Sequence, residues 1–123
     1  MDIDAGESIL VVDDEPYIVT AIMQYLHRRG YSVVGTTDPE VVETLMEAGI
    51  FGLLIVDIKM EGLDGISLIR RLTGKGFNVK VMVISALTDE YADAVDAPGV
   101  DCIIEKPFSL KDISEKVKEL MIR

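Results

Sequence analysis

Cysteine, histidine and tryptophan are nearly absent from this chain, with one Cys, one His and no Trp. The lone Cys102 makes neither an internal disulfide nor a thiolate metal centre, which agrees with a reducing cytoplasm. Cations are also scarce. Twelve Lys and Arg against 22 Asp and Glu leave a net charge of −10, a surface that repels phosphate backbones and makes nucleic acid a poor direct partner. Long apolar runs are missing as well. The longest, Ile50 to Val56, falls far below the roughly 20 residues that cross a bilayer. Residues 1–7, MDIDAGE, form a short acidic extension with no basic region ahead of an apolar stretch, so neither secretion nor a membrane partner is expected. There is no internal repeat, low-complexity block or linker. What remains is one domain over residues 8–123, with 49% hydrophobic residues to build a core.

Short β-branched runs alternate with segments of helical period. Ser8–Val12, Tyr31–Gly35, Leu53–Val56, Val79–Ile84 and Asp101–Glu105 read as strands. Apolar throughout, Leu53–Val56 suits a strand covered on both faces. Between them, Ile18, Ile22, Tyr25 and Leu26 recur at helical spacing after Pro16, and Gly30 marks the stop. Asp38-Pro39 reads as a helix start, ended by Gly49. Asp64 caps a helix that Gly74 breaks, and Gly74-Lys75-Gly76 is a turn without the spacing of a phosphate loop. Thr88–Ala97 is a weak helix, cut by Pro98-Gly99. Ser109 with Asp112 resembles a capping box before a last helix striped by Ile113, Val117 and Leu120. Five such alternations predict a doubly wound (βα)5 α/β fold, a five-stranded parallel sheet with helices on both faces. Met23, Met46 and Met82 read as core, His27 as a surface residue, and Cys102 as a small buried hydrophobe.

In such a sheet, ligands bind outside the carboxyl ends of the strands. Chemically loaded residues follow four of them: Asp13 and Asp14 after the first strand, Asp57 after the third, Ser85 after the fourth and Lys106 after the fifth. Carboxylates converging to within about 4–6 Å raise one another's pKa, so the group stores repulsion that a divalent cation relieves. Oxygen donors without His or Cys select Mg²⁺, or Mn²⁺, over zinc. A nucleophilic carboxylate, a metal, an ammonium and a hydroxyl together describe a phosphoryl-acceptor site.

The motifs VVDDEP at 11–16, LLIVDIKMEGLDG at 53–65, VISA at 83–86 and EKPF at 105–108 resemble those of response-regulator receiver domains of two-component signalling, in order and spacing along essentially the whole chain. That resemblance implies the strand order 2-1-3-4-5, with Asp57 as phosphoacceptor. It makes Asp14 a direct metal ligand, Asp13 a ligand partly through water, and the backbone carbonyl of Lys59 a third protein ligand. Ser85 and Lys106 stand where the family's hydroxyl and lysine meet the phosphoryl group, and the Lys106-Pro107 bond is expected to be cis. The implied partners are a sensor histidine kinase or phosphotransfer protein, or a small donor such as acetyl phosphate. Downstream come a protein or output domain, with a phosphorylation-dependent homodimer also in prospect. The output face is expected on the fourth helix, the fifth strand and the last helix.

Three departures stand out: Glu61 replaces a common proline, Ile103 a common aromatic, and the interval from Ser85 to Lys106 is about one residue short. Leu87 and Lys59 each lie two residues past a site residue. Apolar Leu87 cannot orient an attacking water and Lys59 can compete for the phosphoryl group, so slow self-dephosphorylation is expected of a switch that is not an enzyme. The rival reading is a Mg²⁺-dependent phosphohydrolase with the same aspartyl-phosphate chemistry. It needs a second acid or base beside the nucleophile, and Lys59 stands where such enzymes often have Asp. A flavodoxin-like binding module fits less well, because the acids after the first strand would repel a flavin phosphate.

Overall fold

The computed structural model describes residues 8–60, 64–86 and 97–121. The acidic extension, Glu61, Leu87 and the weak helix expected over Thr88–Ala97 (all but Ala97) lie outside these. Five parallel strands, β1 (Ser8–Val12), β2 (Val33–Thr36), β3 (Phe51–Asp57), β4 (Lys80–Ser85) and β5 (Cys102–Glu105), form one sheet in the order β2-β1-β3-β4-β5. Among the described residues the helices are α1 (Pro16–Arg28), α2 (Val42–Ala48), α3 (Gly65–Gly74) and α4 (Leu110–Met121), with a 3₁₀ turn at Pro39–Val41.

Alternation along each strand sorts the core into two layers. Leu10, Val12, Leu54, Val56 and Val83 face α2 and α3, packing with Val42, Met46, Leu68, Ile69 and Leu72. Their neighbours Ile9, Val11, Leu53, Ile55, Met82 and Ile84 face α1 and α4, meeting Ile22, Leu26, Ile113 and Val117. Helices therefore cover both faces, as the apolar run in β3 requires: Leu53, Leu54, Ile55 and Val56 are all fully buried. Truncating one of them, such as Leu54→Ala, should cost about 2–5 kcal/mol.

Local chemistry sets where the elements start and stop. Pro16 opens α1 at the position where a missing N–H costs nothing, and His27 and Arg28 lie in its last turn, favoured by the helix dipole. Tyr31 still donates its N–H to the Leu26 carbonyl, which delays β2 to Val33 rather than the expected Tyr31. The Asp38 carboxylate accepts the Glu40 N–H at 2.9 Å, producing the 3₁₀ turn before α2 where the sequence suggests one helix. Asp64 caps α3, taking the Ser67 N–H at 2.9 Å and the Ser67 hydroxyl at 2.8 Å. Ser109 accepts the Asp112 N–H at 3.0 Å, one half of the expected capping box. Met46 and Met82 are core, while Met23 and Cys102 are only partly buried and His27 is exposed. Among the described residues, no helix is long and apolar enough to cross a membrane.

Candidate functional site

The sheet ladder runs slightly past the strands at one rim and holds the polar residues there. Asp13 donates its N–H to the Thr36 carbonyl (3.3 Å), Ile58 to Ile84 (3.0 Å) and Lys106 to Ser85 (2.8 Å). Asp13 follows β1, Asp57 ends β3, Ser85 ends β4 and Lys106 directly follows β5, just before a cis Lys106–Pro107 peptide. Among the described residues, the buried polar side chains are Asp13, Asp57 and Ser85, all at this one rim. Buried polar groups are costly unless partnered, so their convergence marks the place where the fold trades stability for chemistry.

The arrangement is electrostatically tense. The Lys106 ammonium donates to Asp57 Oδ2 at 3.1 Å, and the Lys59 N–H donates to Asp57 Oδ1 at 3.1 Å. Asp13 Oδ1 accepts the Glu15 N–H at 2.9 Å, whereas Asp13 Oδ2 is buried and has no hydrogen-bond partner among the described residues. Burial pushes the Asp13 carboxyl up to about 6. The Glu15 N–H opposes that rise, Asp57 and Asp14 add to it, and Lys106 offsets part of it. Burial also works against the Lys106 ammonium, yet its hydrogen bond to Asp57 and the attraction of Asp57, Asp13 and Glu15 prevail and raise its pKa.

Asp13, Asp14 and Asp57 each offer a carboxylate oxygen within 4.8 Å of the others. An all-oxygen donor set with one buried, unpartnered oxygen suits a hard divalent cation. In front of it opens a cleft of about 560 Å³ lined by Asp14, Glu15, Asp57, Lys59, Met60, Ala86 and Lys106. The residues singled out in the sequence thus meet at one place, with two refinements. Asp13 lies behind the cleft, not on its wall. Ser85 is fully buried, and its hydroxyl donates to the Ala86 carbonyl at 2.9 Å, turned into the chain rather than toward the opening. Glu15 and Met60 line the cleft without having been singled out. Glu15 had a signal, since it directly follows the acidic pair.

Known proteins are similar to this chain in sequence and in fold. The alkaline phosphatase synthesis transcriptional regulatory protein PhoP of Bacillus subtilis is 30% identical over 119 residues, covering 96% of this chain and 50% of that protein. The response regulator GtcR of Aneurinibacillus migulanus is 33% identical over 105 residues, covering 85% and 43%. The chain therefore spans about half the length of the curated relatives it matches. Among solved structures, the receiver domain of the Francisella response regulator 1452 superposes with a TM-score of 0.84 at 28% identity, covering 93% and 95% of the two chains. The response regulator TrrA of Thermotoga maritima, solved in complex with Mg²⁺-BeF, gives 0.81 at 28% identity, covering 94% and 99%. Receiver domains are phosphorylation-controlled signalling modules that serve as phosphoacceptors, not classed as enzymes, and their regulators work with histidine kinases and often carry output domains. The profile of the response regulator receiver domain matches residues 9–118, and the chain belongs to that family.

Proposed function

We propose that Asp57 accepts a phosphoryl group from a sensor histidine kinase, a phosphotransfer protein or a small donor such as acetyl phosphate. The observation that carries this is the meeting of Asp57 with Asp13, Asp14 and Lys106 at the mouth of an open cleft. A carboxylate oxygen of Asp57 attacks phosphorus, and the bond to the donor's nitrogen or oxygen breaks with its electron pair. Asp14 and Asp13, with the Lys59 backbone carbonyl and Asp57 itself, would hold Mg²⁺ (or Mn²⁺), which when bound neutralises charge on the phosphoryl oxygens. Lys106, already paired with Asp57, swings its ammonium so that it pairs with the incoming oxygens. Ser85 turns its hydroxyl from the Ala86 carbonyl to the phosphoryl group. That exchange draws on the segment after β4 and shifts an existing equilibrium toward the form read by a downstream protein, an output domain or a second copy.

The switch unit on this reading is residues 8–123, working in the cytoplasm, with its output face on β5, α4 and the residues before β5. Lys59, at the cleft wall, is a cation rather than a base that activates water, so the phosphoryl group should hydrolyse slowly. A phosphate-release assay returning a lifetime of seconds would contradict that. The central test is intact mass after incubation with acetyl phosphate. Wild type should gain one phosphoryl mass only with Mg²⁺ present, and Asp57→Asn should gain none.

A further inference from the structure

Helix α3 begins on a glycine that lies directly against the backbone of β3. Gly65 is buried, and its N–H donates to the Ile58 carbonyl at 2.7 Å. A Cβ at this position would stand 2.7 Å from the Asp57 carbonyl oxygen and 2.8 Å from the Ile58 Cα. Both atoms are main chain, so no side-chain rotation relieves the clash. Among the described residues the glycines with positive φ are Gly30, Gly76 and Gly99, and Gly65 is not one of them. Close approach, rather than a left-handed backbone, is therefore what demands glycine here.

The main chain it touches also carries the site. Asp57 Oδ1 accepts the Lys59 N–H at 3.1 Å, and the Ile58 N–H is tied to Ile84 of β4 at 3.0 Å. The Asp57–Ile58 peptide is thus gripped by β4 on one side and by the first residue of α3 on the other. We infer that Gly65 is a positioning residue for the Asp57 site: lacking a side chain, it lets α3 seat on the acceptor's own peptide and so fixes where the acidic cluster presents its oxygens. The inference rests on the Mg²⁺-assisted reading of that cluster given above.

Mg²⁺ affinity measured by calorimetry tests it, at a temperature where far-UV circular dichroism shows every variant folded. Gly65→Ala should bind Mg²⁺ about tenfold more weakly, as removing support behind metal ligands commonly does, and acetyl phosphate should label it more slowly. Gly74→Ala, at the other end of α3 where a Cβ would meet nothing within 4 Å, should match wild type. A Gly65→Ala protein that melts earlier yet binds Mg²⁺ like wild type overturns the inference, because a merely structural glycine would behave that way. If Gly65→Ala does not fold, Asp64→Ala and Asp64→Asn replace it. Both remove the charge, but only alanine removes the cap that fixes the start of α3. Weaker Mg²⁺ binding by the alanine variant supports positioning, and equal binding overturns it. Wild type that neither binds Mg²⁺ nor accepts a phosphoryl group would instead sink the reading of the cluster itself.

Discussion

The two rims of the sheet are built to opposite ends. At the amino ends of β4 and β5, Asp101 accepts the Val81 N–H at 2.8 Å and returns its own N–H to the Val81 carbonyl at 2.9 Å. Among the described residues, the glycines with positive φ, Gly30 (95°), Gly76 (83°) and Gly99 (89°), all turn the chain on that side. Acid and turn are both satisfied there. At the carboxyl ends, three carboxylates crowd together beside the Lys106 ammonium, and the Asp13 Oδ2 has no hydrogen-bond donor among the described residues. One rim holds the fold, and the other stores electrostatic strain that a divalent cation can relieve.

Substitutions of the same kind at opposite rims can break this division. The largest effect is expected at Asp57: Asp57→Asn should abolish labelling by acetyl phosphate, whereas Asp101→Asn should leave labelling intact when both are read by intact mass. Next comes Asp13→Asn, which removes a buried charge. It should weaken Mg²⁺ binding by about tenfold or more while stabilising the metal-free protein by roughly 1–3 kcal/mol in denaturant titration near neutral pH.

The pH dependence follows from the same carboxyl, whose pKa rises from 3.8 to about 6 on folding. Between those values the folded state binds the extra proton, so the stability contributed by Asp13 is present at low pH and is lost as pH climbs through about 6. Protons and Mg²⁺ compete for this carboxylate, so Mg²⁺ affinity should strengthen over the same interval, and Asp13→Asn should flatten both curves. Asp101→Ala should cost about 1–3 kcal/mol, from leaving the Val81 N–H unpaired, with Mg²⁺ affinity unchanged. A parallel loss of Mg²⁺ binding there would show that the rims are not independent. The smallest effect belongs to Gly30→Ala. At φ 95° with nothing within 4 Å of a Cβ, it should lower stability by about 1 kcal/mol through backbone strain alone.

Much of this was legible in the residues because strand and helix periods differ and each apolar run stops on a charged or polar group. Asp13, Asp57, Ser85 and Lys106 could be placed at one rim from their positions alone. Orientation could not. In VVDDEP the residues by themselves leave the adjacent acids equivalent, and only the family resemblance ranks Asp14 ahead of Asp13. The pleat, which sends Val11 to one layer and Val12 to the other, then seals one carboxylate in and lets the other line the cleft. The inward turn of the Ser85 hydroxyl depends on a rotamer, which no spacing reports. Strand ends shifted by a residue or two for a similar reason: β3 runs from Phe51 to Asp57 because β1 and β4 pair with it there, information held in its neighbours. Nothing in the spacing around Gly65 reports its approach to the Asp57 backbone, which only the packing of α3 on β3 creates.

The strand that ends in Asp57 is the middle one of five, with Leu53 through Val56 wholly shielded behind it. Solvent therefore reaches the Asp57 carboxylate from a single side. A charge added at that tip is backed by a low-dielectric slab that cannot screen it, so its field is directed outward and sideways across the surrounding loops. The same charge on an edge strand would be dissipated by water from several directions. Placement at the centre thus lets one small anionic group act at a distance on segments that it never touches.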